Sequence, residues 1–292
     1  MEHPDHGGSK WGLFILLSFI WGSSFILMKE GMKSLSAVQV ASLRIASAGL
    51  ALLPLAPKIF PTVPWKTIPL ILLSGLLGSF IPAYLFCIAE TRLDSGLAGI
   101  LNALTPLFTL LIGVLFFRQR IALMKWLGVI LGILGLVALI GLGDRHIGFD
   151  HTGYAGFILM ATLMYGINVN LVSHYLQGFS SRQITTVAMS LLCIPALAIL
   201  AATGYFSMPV KDGAWLQSTA ASMLLGVMGT AVATLMYYVL LKRAGGLFSS
   251  MVTYGVPFVA LFWGLLAGEV LGWAQVACLL VILTGVLLAQ RK

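Results

Sequence analysis

Charge is what this sequence has least of. Asp, Glu, Lys and Arg make up 9% of its 292 residues, against about a quarter in an ordinary water-soluble domain. So few charges exclude a soluble fold of this size, because its surface would stay uncovered. Only nine residues are acidic, and they lie at loops, where no convergent carboxylate pair forms. HExxH and GxSxG are both absent, which removes the commonest hydrolytic sites. No GxxxxGK[ST] loop occurs, so no ATP-driven pump is read here. The three cysteines, Cys87, Cys193 and Cys278, stand in apolar runs at unrelated spacings. They read as small buried hydrophobes, with no disulfide, metal or other cofactor implied. Lys and Arg are scattered one to three per loop. A net charge of +8 without a basic stripe anchors helices in a bilayer and gives no nucleic-acid surface.

What is present is hydrocarbon. Hydrophobic residues are 59% of the chain, mean hydropathy is +1.01, and apolar runs of about 18 residues or more recur throughout, the length of a membrane-spanning helix. The runs do not alternate with period two, so they are not strands of a membrane barrel. The fold class expected is therefore all-α and integral to the membrane. Ten spans are expected, near 11–30, 37–56, 67–89, 94–117, 122–142, 152–175, 182–203, 216–241, 246–268 and 272–290, after a polar N-terminal tail (1–10) placed in the cytoplasm. The first run ends in "KEGMK" without a small-residue cleavage site and is read as a retained helix. With both termini on one side, eleven of the Lys and Arg residues fall on that side and five on the other, with Arg44 left inside a span. The positive-inside rule then puts both termini in the cytoplasm of a plasma membrane, most simply a bacterial inner membrane.

The chain also repeats itself. At an offset of 144, Trp21-Gly22 falls on Tyr165-Gly166, Ser36 on Ser180 and Gln39 on Gln183. At an offset of 151, Gly75 meets Gly226, Gly78 meets Gly229, and Pro106 meets Pro257. The repeat divides the chain into residues 11–142 and 152–290, five helices each. An odd number of spans inserts the second copy upside down, and inverted repeats of this kind belong to alternating-access transporters with a site at the repeat interface.

The residues that carry this pattern are "WGSSF" (21–25), Arg44 in "ASLRIASAGLALL", the two proline helices, "LGVILGILGL" (127–136) and "AGEVLGWAQ" (267–275). In these the chain resembles the EamA-type members of the drug/metabolite transporter superfamily over nearly all of residues 11–290. The resemblance implies two inverted five-helix units carrying small metabolites, often outward. One position departs from it. The Gly-Glu pair that closes each proline helix is present as Gly268-Glu269, whereas the first half has Gln119 where the glutamate is expected.

Candidate site residues follow from polarity inside apolar runs. Trp21 and Tyr165 are repeat partners beside small polar residues, Ser24 in one half and Asn168 in the other, and suit an organic solute. Tyr84, Asn102, Tyr237 and Tyr254 are further candidates for the pocket. Pro106 and Pro257 each release the carbonyl four residues earlier, that of Asn102 and of Thr253, and so mark helix breaks or kinks. Arg44 reads as a structural charge latched to helix ends, with contact to an anionic solute as the second reading. Glu269 reads as a hairpin cap, and Glu90, Arg92 and Asp94 as a solvated ion-pair loop. Gly128, Gly132 and Gly135 form a small-residue face that serves either packing within the bundle or a homodimer. The function expected is a secondary transporter for neutral or zwitterionic solutes such as amino acids, working as an exporter. A passive channel or a structural membrane protein is the other class. A fluorescent protein fused after Lys292 is expected to fluoresce in the cell, and an active periplasmic phosphatase at that position would contradict the topology.

Overall fold

The computed structural model describes residues 7–117, 123–142, 149–208, 213–269 and 272–290. Gln119, Arg145, Lys211 and tail residues 1–6 lie outside the described residues. Among those described, every regular element is a helix. In hydrocarbon each backbone N–H and C=O must be satisfied within the segment, and helices achieve this without partners. Polarity is turned inside out relative to a soluble protein. Ile15, Phe19, Leu115, Phe116, Ile194 and Phe262 are exposed on the outer faces, while Ser42, Ser74, Thr162, Thr185 and Asn168 are buried.

The first helices are α1 (Gly7–Met32) and α2 (Ala37–Leu52). α3 (Ile68–Gly75) and α4 (Ile81–Ala89) are joined by a π turn over Leu76–Phe80. α5 (Ser95–Asn102) and α6 (Thr105–Phe117) follow, then α7 (Leu123–Leu142). The rest comprises α8 (Phe149–Tyr175), α9 (Ser181–Ala202), α10 (Gly213–Gly226), α11 (Ala233–Ser250), α12 (Val252–Leu266) and α13 (Trp273–Gln290). A second π turn, Val227–Val232, joins α10 to α11. Among the described residues, seven helical segments are long and apolar enough to cross a membrane, and three shorter apolar ones accompany them.

Two expectations change. α1 is already helical from Gly7, inside the stretch expected to be a free tail. The span expected at 94–117 is two helices, with the break at Ala103 and Leu104 and Pro106 as second residue of the new helix. Proline is tolerated in a first turn because its missing N–H has no intrahelical partner there. The freed Asn102 carbonyl accepts from Thr105 Oγ1 at 2.8 Å. Pro257 lies inside α12, and the matching interruption falls earlier, at Met251.

Several contacts occur twice. Ser36 and Ser180 close capping boxes with Gln39 and Gln183 at the starts of α2 and α9, each satisfying two orphan helix-end N–H groups. The glycine pairs 75/78 and 226/229 border or enter the two π turns. A Cβ on Gly22 would collide with Val259, and one on Gly166 with Phe108, so α1 packs on α12 and α8 on α6 at glycine-thin contacts. α7 and α13 pack on each other: a Cβ on Gly135 would meet Ile282, and one on Gly285 would meet Gly128 and Gly132. The small-residue face of α7 is thus used within the chain.

Gly245 kinks α11 at φ 81, ψ 167, a region essentially restricted to glycine. Nothing lies within 4 Å of where its Cβ would be, so backbone conformation alone selects the residue. Gly245→Ala is expected to cost about 1–3 kcal/mol. Gly156→Ala, in an open position of the helix α8, is expected to be neutral or stabilising by up to about 1 kcal/mol. Thermal unfolding of both variants checks this, and equal midpoints would contradict it.

Candidate functional site

The two π turns and the break before Pro106 open onto one cavity. Its lining includes Trp21, Ser24 and Met28 from α1, Arg44 from α2, Asn102 and Thr105 at the break, and Tyr165 and Asn168 from α8. Gly229, Thr230, Tyr237 and Tyr238 line it from the second π turn and α11.

A π turn releases a carbonyl from the regular ladder and is often found at functional positions. Here Trp21 Nε1 donates to the Gly229 carbonyl at 3.0 Å, fixing the indole against the Tyr237 ring, 5.1 Å away between centroids. Across the cavity the repeat partners of these two rings, Tyr165 and Phe86, stack at 6.1 Å. Gly229 faces Ser24 Oγ, and Gly78 faces the Asn168 amide, so closely that a side chain on either glycine would collide. Asn168 is held in a buried triangle. Ser74 Oγ donates to its Oδ1 at 2.6 Å, its Nδ2 donates to Tyr238 Oη at 3.3 Å, and Ser74 and Tyr238 lie 3.1 Å apart. A satisfied network of this kind fixes side-chain positions in a low-dielectric interior.

Arg44 is the one charged residue among those lining the cavity. Its Nε donates to Thr230 Oγ1 at 2.8 Å and its Nη1 reaches Met28 sulfur at 3.9 Å. No carboxylate pairs with it among the described residues. The guanidinium is thus tied across α2 and the second π turn, with its charge at the cavity wall.

Of the residues singled out by sequence, Trp21, Ser24, Asn102, Tyr165, Asn168 and Tyr237 come together here. Tyr84 and Tyr254 do not line the cavity. Tyr84 bonds Ser42 at 2.9 Å between α2 and α4, and Tyr254 is buried in α12. Pro106 and Pro257 lie behind the wall, and their effect is carried by Asn102, Thr105 and Thr253, which line it. Met28, Thr230 and Thr234 also line it and were not foreseen. The repeat offset of 151 would have pointed to Thr230, since it maps there from Ser79, another lining residue.

At the end of the bundle away from the N-terminus, a charged tie joins the two halves. Lys29 Nζ donates to Glu269 Oε1 at 2.6 Å and lies 3.5 Å from Asp94. The Ser95 and Gly96 N–H groups donate to Glu269 Oε1 and Oε2 at 3.0 and 3.2 Å. Asp94 makes no side-chain cap for α5, and Glu269 supplies it from the other half, where a carboxylate also meets the positive end of the helix. Gly268 (φ 84) ends the turn after α12, with Glu269 N–H on the Gly264 carbonyl at 2.9 Å. The hairpin geometry therefore aims Glu269, which does more than cap its own turn. Burial pushes the Glu269 carboxyl up, but the Lys29 and backbone donors outweigh it and hold it below the ordinary carboxylate range.

Apolar helices around a polar cavity fit a membrane transporter. The EamA-like transporter family model matches it twice, over residues 10–141 and 153–290, so the chain belongs to that family. An "Uncharacterized transporter" of Archaeoglobus fulgidus is 26% identical over 97% of this chain and 99% of its own length. A "Probable amino-acid metabolite efflux pump" of Escherichia coli is 27% identical, covering 89% of this chain and 79% of its own. A solved crystal structure aligns with TM-score 0.66 at 17% identity over 97% of this chain and 96% of that chain, a likeness of fold. The protein is thus a multi-pass membrane transporter rather than an enzyme.

Proposed function

We propose that this protein is a secondary transporter that exports small organic solutes bearing a carboxylate, amino acids among them, by alternating access across the plasma membrane. The observation that carries the reading is Arg44, alone as a charge in a cavity lined otherwise by aromatic, hydroxyl and amide groups. A guanidinium binds carboxylates through paired, charge-assisted hydrogen bonds, and the aromatic rings suit the organic body of such a solute. The name of the Escherichia coli relative, an efflux pump for amino-acid metabolites, agrees in class and direction.

The architecture in this reading is ten spans in two five-helix units of opposite orientation. The duplicate capping boxes, π turns and ring pairs support it. With both termini cytoplasmic, the Lys29–Glu269 tie is an outer gate, closed in this conformation.

Removing a charge-assisted bond to a solute costs about 1.5–3 kcal/mol, roughly 10- to 150-fold in affinity. Arg44→Gln in proteoliposomes is expected to lower exchange of a labelled amino-acid mixture by that order at limiting concentration, with Arg44→Lys intermediate. Unchanged exchange in Arg44→Gln would remove Arg44 from the site, and wild-type protein that moves other metabolites but no carboxylate-bearing solute would overturn the substrate class.

A further inference from the structure

Glu90 was expected in a solvated loop, and the structure contradicts this. It directly follows α4, its N–H bonded to the Phe86 carbonyl at 2.9 Å, and only 4% of its surface is exposed. Both carboxyl oxygens are buried without a hydrogen-bond partner among the described residues. The charged and titratable groups around it come from four directions. Lys29 on α1 is held by Glu269 and Asp94. Glu269, after α12, is held by Lys29, Ser95 and Gly96. Arg44 on α2 is held by Thr230. Cys87 lies one turn back on Glu90's own helix, and Arg92 is exposed in the following loop. Lys29 is thus paired with other carboxylates, and none of these cations bonds the Glu90 carboxyl. An ionised carboxylate left buried without donors costs several kcal/mol, and taking up a proton removes that cost.

We propose that Glu90 is the proton-binding site of the Lys29–Glu269 gate: closure of that end transfers one proton from water to the Glu90 carboxylate, and opening returns it. The inference rests on the transporter reading above for its place in a cycle, and on the burial and missing donors of Glu90 for its chemistry. Burial pushes the Glu90 carboxyl well above the usual range. Lys29 pulls it down, Glu269 pushes it up and Arg44 pulls it down, without cancelling that rise. Opening the gate frees Lys29 and admits water, and both favour the ionised form. The sign follows by linkage. The group is raised in the closed form relative to the open one, so its contribution to closure is complete below the ordinary carboxylate value and is lost as pH rises through the raised value. Acid at the gate side favours closure, and alkali favours opening.

Two measurements on the full-length protein test this. Infrared spectra at neutral pH are expected to show a protonated carboxyl band in the wild type that is lost in Glu90→Gln and shifted in Glu90→Asp. In proteoliposomes, exchange of the labelled amino-acid mixture is expected to vary with pH on the gate side for wild type and Glu90→Asp, and to be slow and flat with pH for Glu90→Gln. A band that survives Glu90→Gln, the absence of any such band in the wild type, or a wild-type pH profile in Glu90→Gln would overturn the proposal. If the wild type exchanges no solute, the transport reading fails while the infrared band still decides whether Glu90 holds a proton.

Discussion

A carbonyl released from its helix inside a bilayer has no water to bond, and this constraint places the irregular parts of the fold. Several carbonyls at or near these interruptions are taken by side chains, some from across the bundle and one from the next turn. Trp21 takes the Gly229 carbonyl at the second π turn, and Thr105 takes that of Asn102 before Pro106. Ser18 takes the carbonyl of Val252 at the start of α12, and Asn170 takes that of Thr109 in α6. These donors need polar residues within apolar helices, and polar residues within apolar helices gather where the interruptions are. The cavity is the meeting point of the two requirements, because irregular backbone at membrane depth is tolerated where it is buried in protein or lines a cavity.

The contacts around the cavity come in pairs, but the two ends of the bundle differ. Trp21 with Tyr237 and Tyr165 with Phe86 are repeat partners, as are Ser24 at Gly229 and Asn168 at Gly78. At the gate end, Lys29, Asp94 and Glu269 meet the N-terminus of α5. The repeat position of Lys29 at the other end is Ser173, beside Gly246, with the Phe117 and His174 rings 4.3 Å apart nearby. One end is thus held by ion pairs and helix-end donors, while the described contacts at the other include small and aromatic side chains and Lys242 on the Gln177 carbonyl. In the proposed cycle, two unlike closures around this cavity let pH or solute act on one side alone.

The fold was legible in the sequence to the extent that its signals are local. Apolar runs gave the helices, and the Ser-x-x-Gln caps and glycine pairs gave the repeat. The pocket was partly legible because Trp21, Asn168 and Tyr237 are costly to leave in lipid and therefore face inward. The rest depended on where chains meet. Pro106 announces an interruption, but its place two residues upstream depends on Thr105 being available to bond Asn102. Glu90 sits among Arg92 and Asp94 like any loop acid, and only the packing of α1, α2 and the turn after α12 over it removes the water. Tyr84 and Tyr254 fit the same sequence rule as Tyr237 but face neighbouring helices, a difference of rotation about the helix axis that apolar flanking residues do not encode.

The central claim is that the gate end must open for solute to pass. It is tested most directly by joining Cys residues introduced as Lys29→Cys and Glu269→Cys with a short reducible thiol linker. The linked protein is expected to stop exchanging the labelled amino-acid mixture, and reduction of the linker is expected to restore the rate of the unlinked double variant. Exchange at that same rate while the linker is intact would contradict the account.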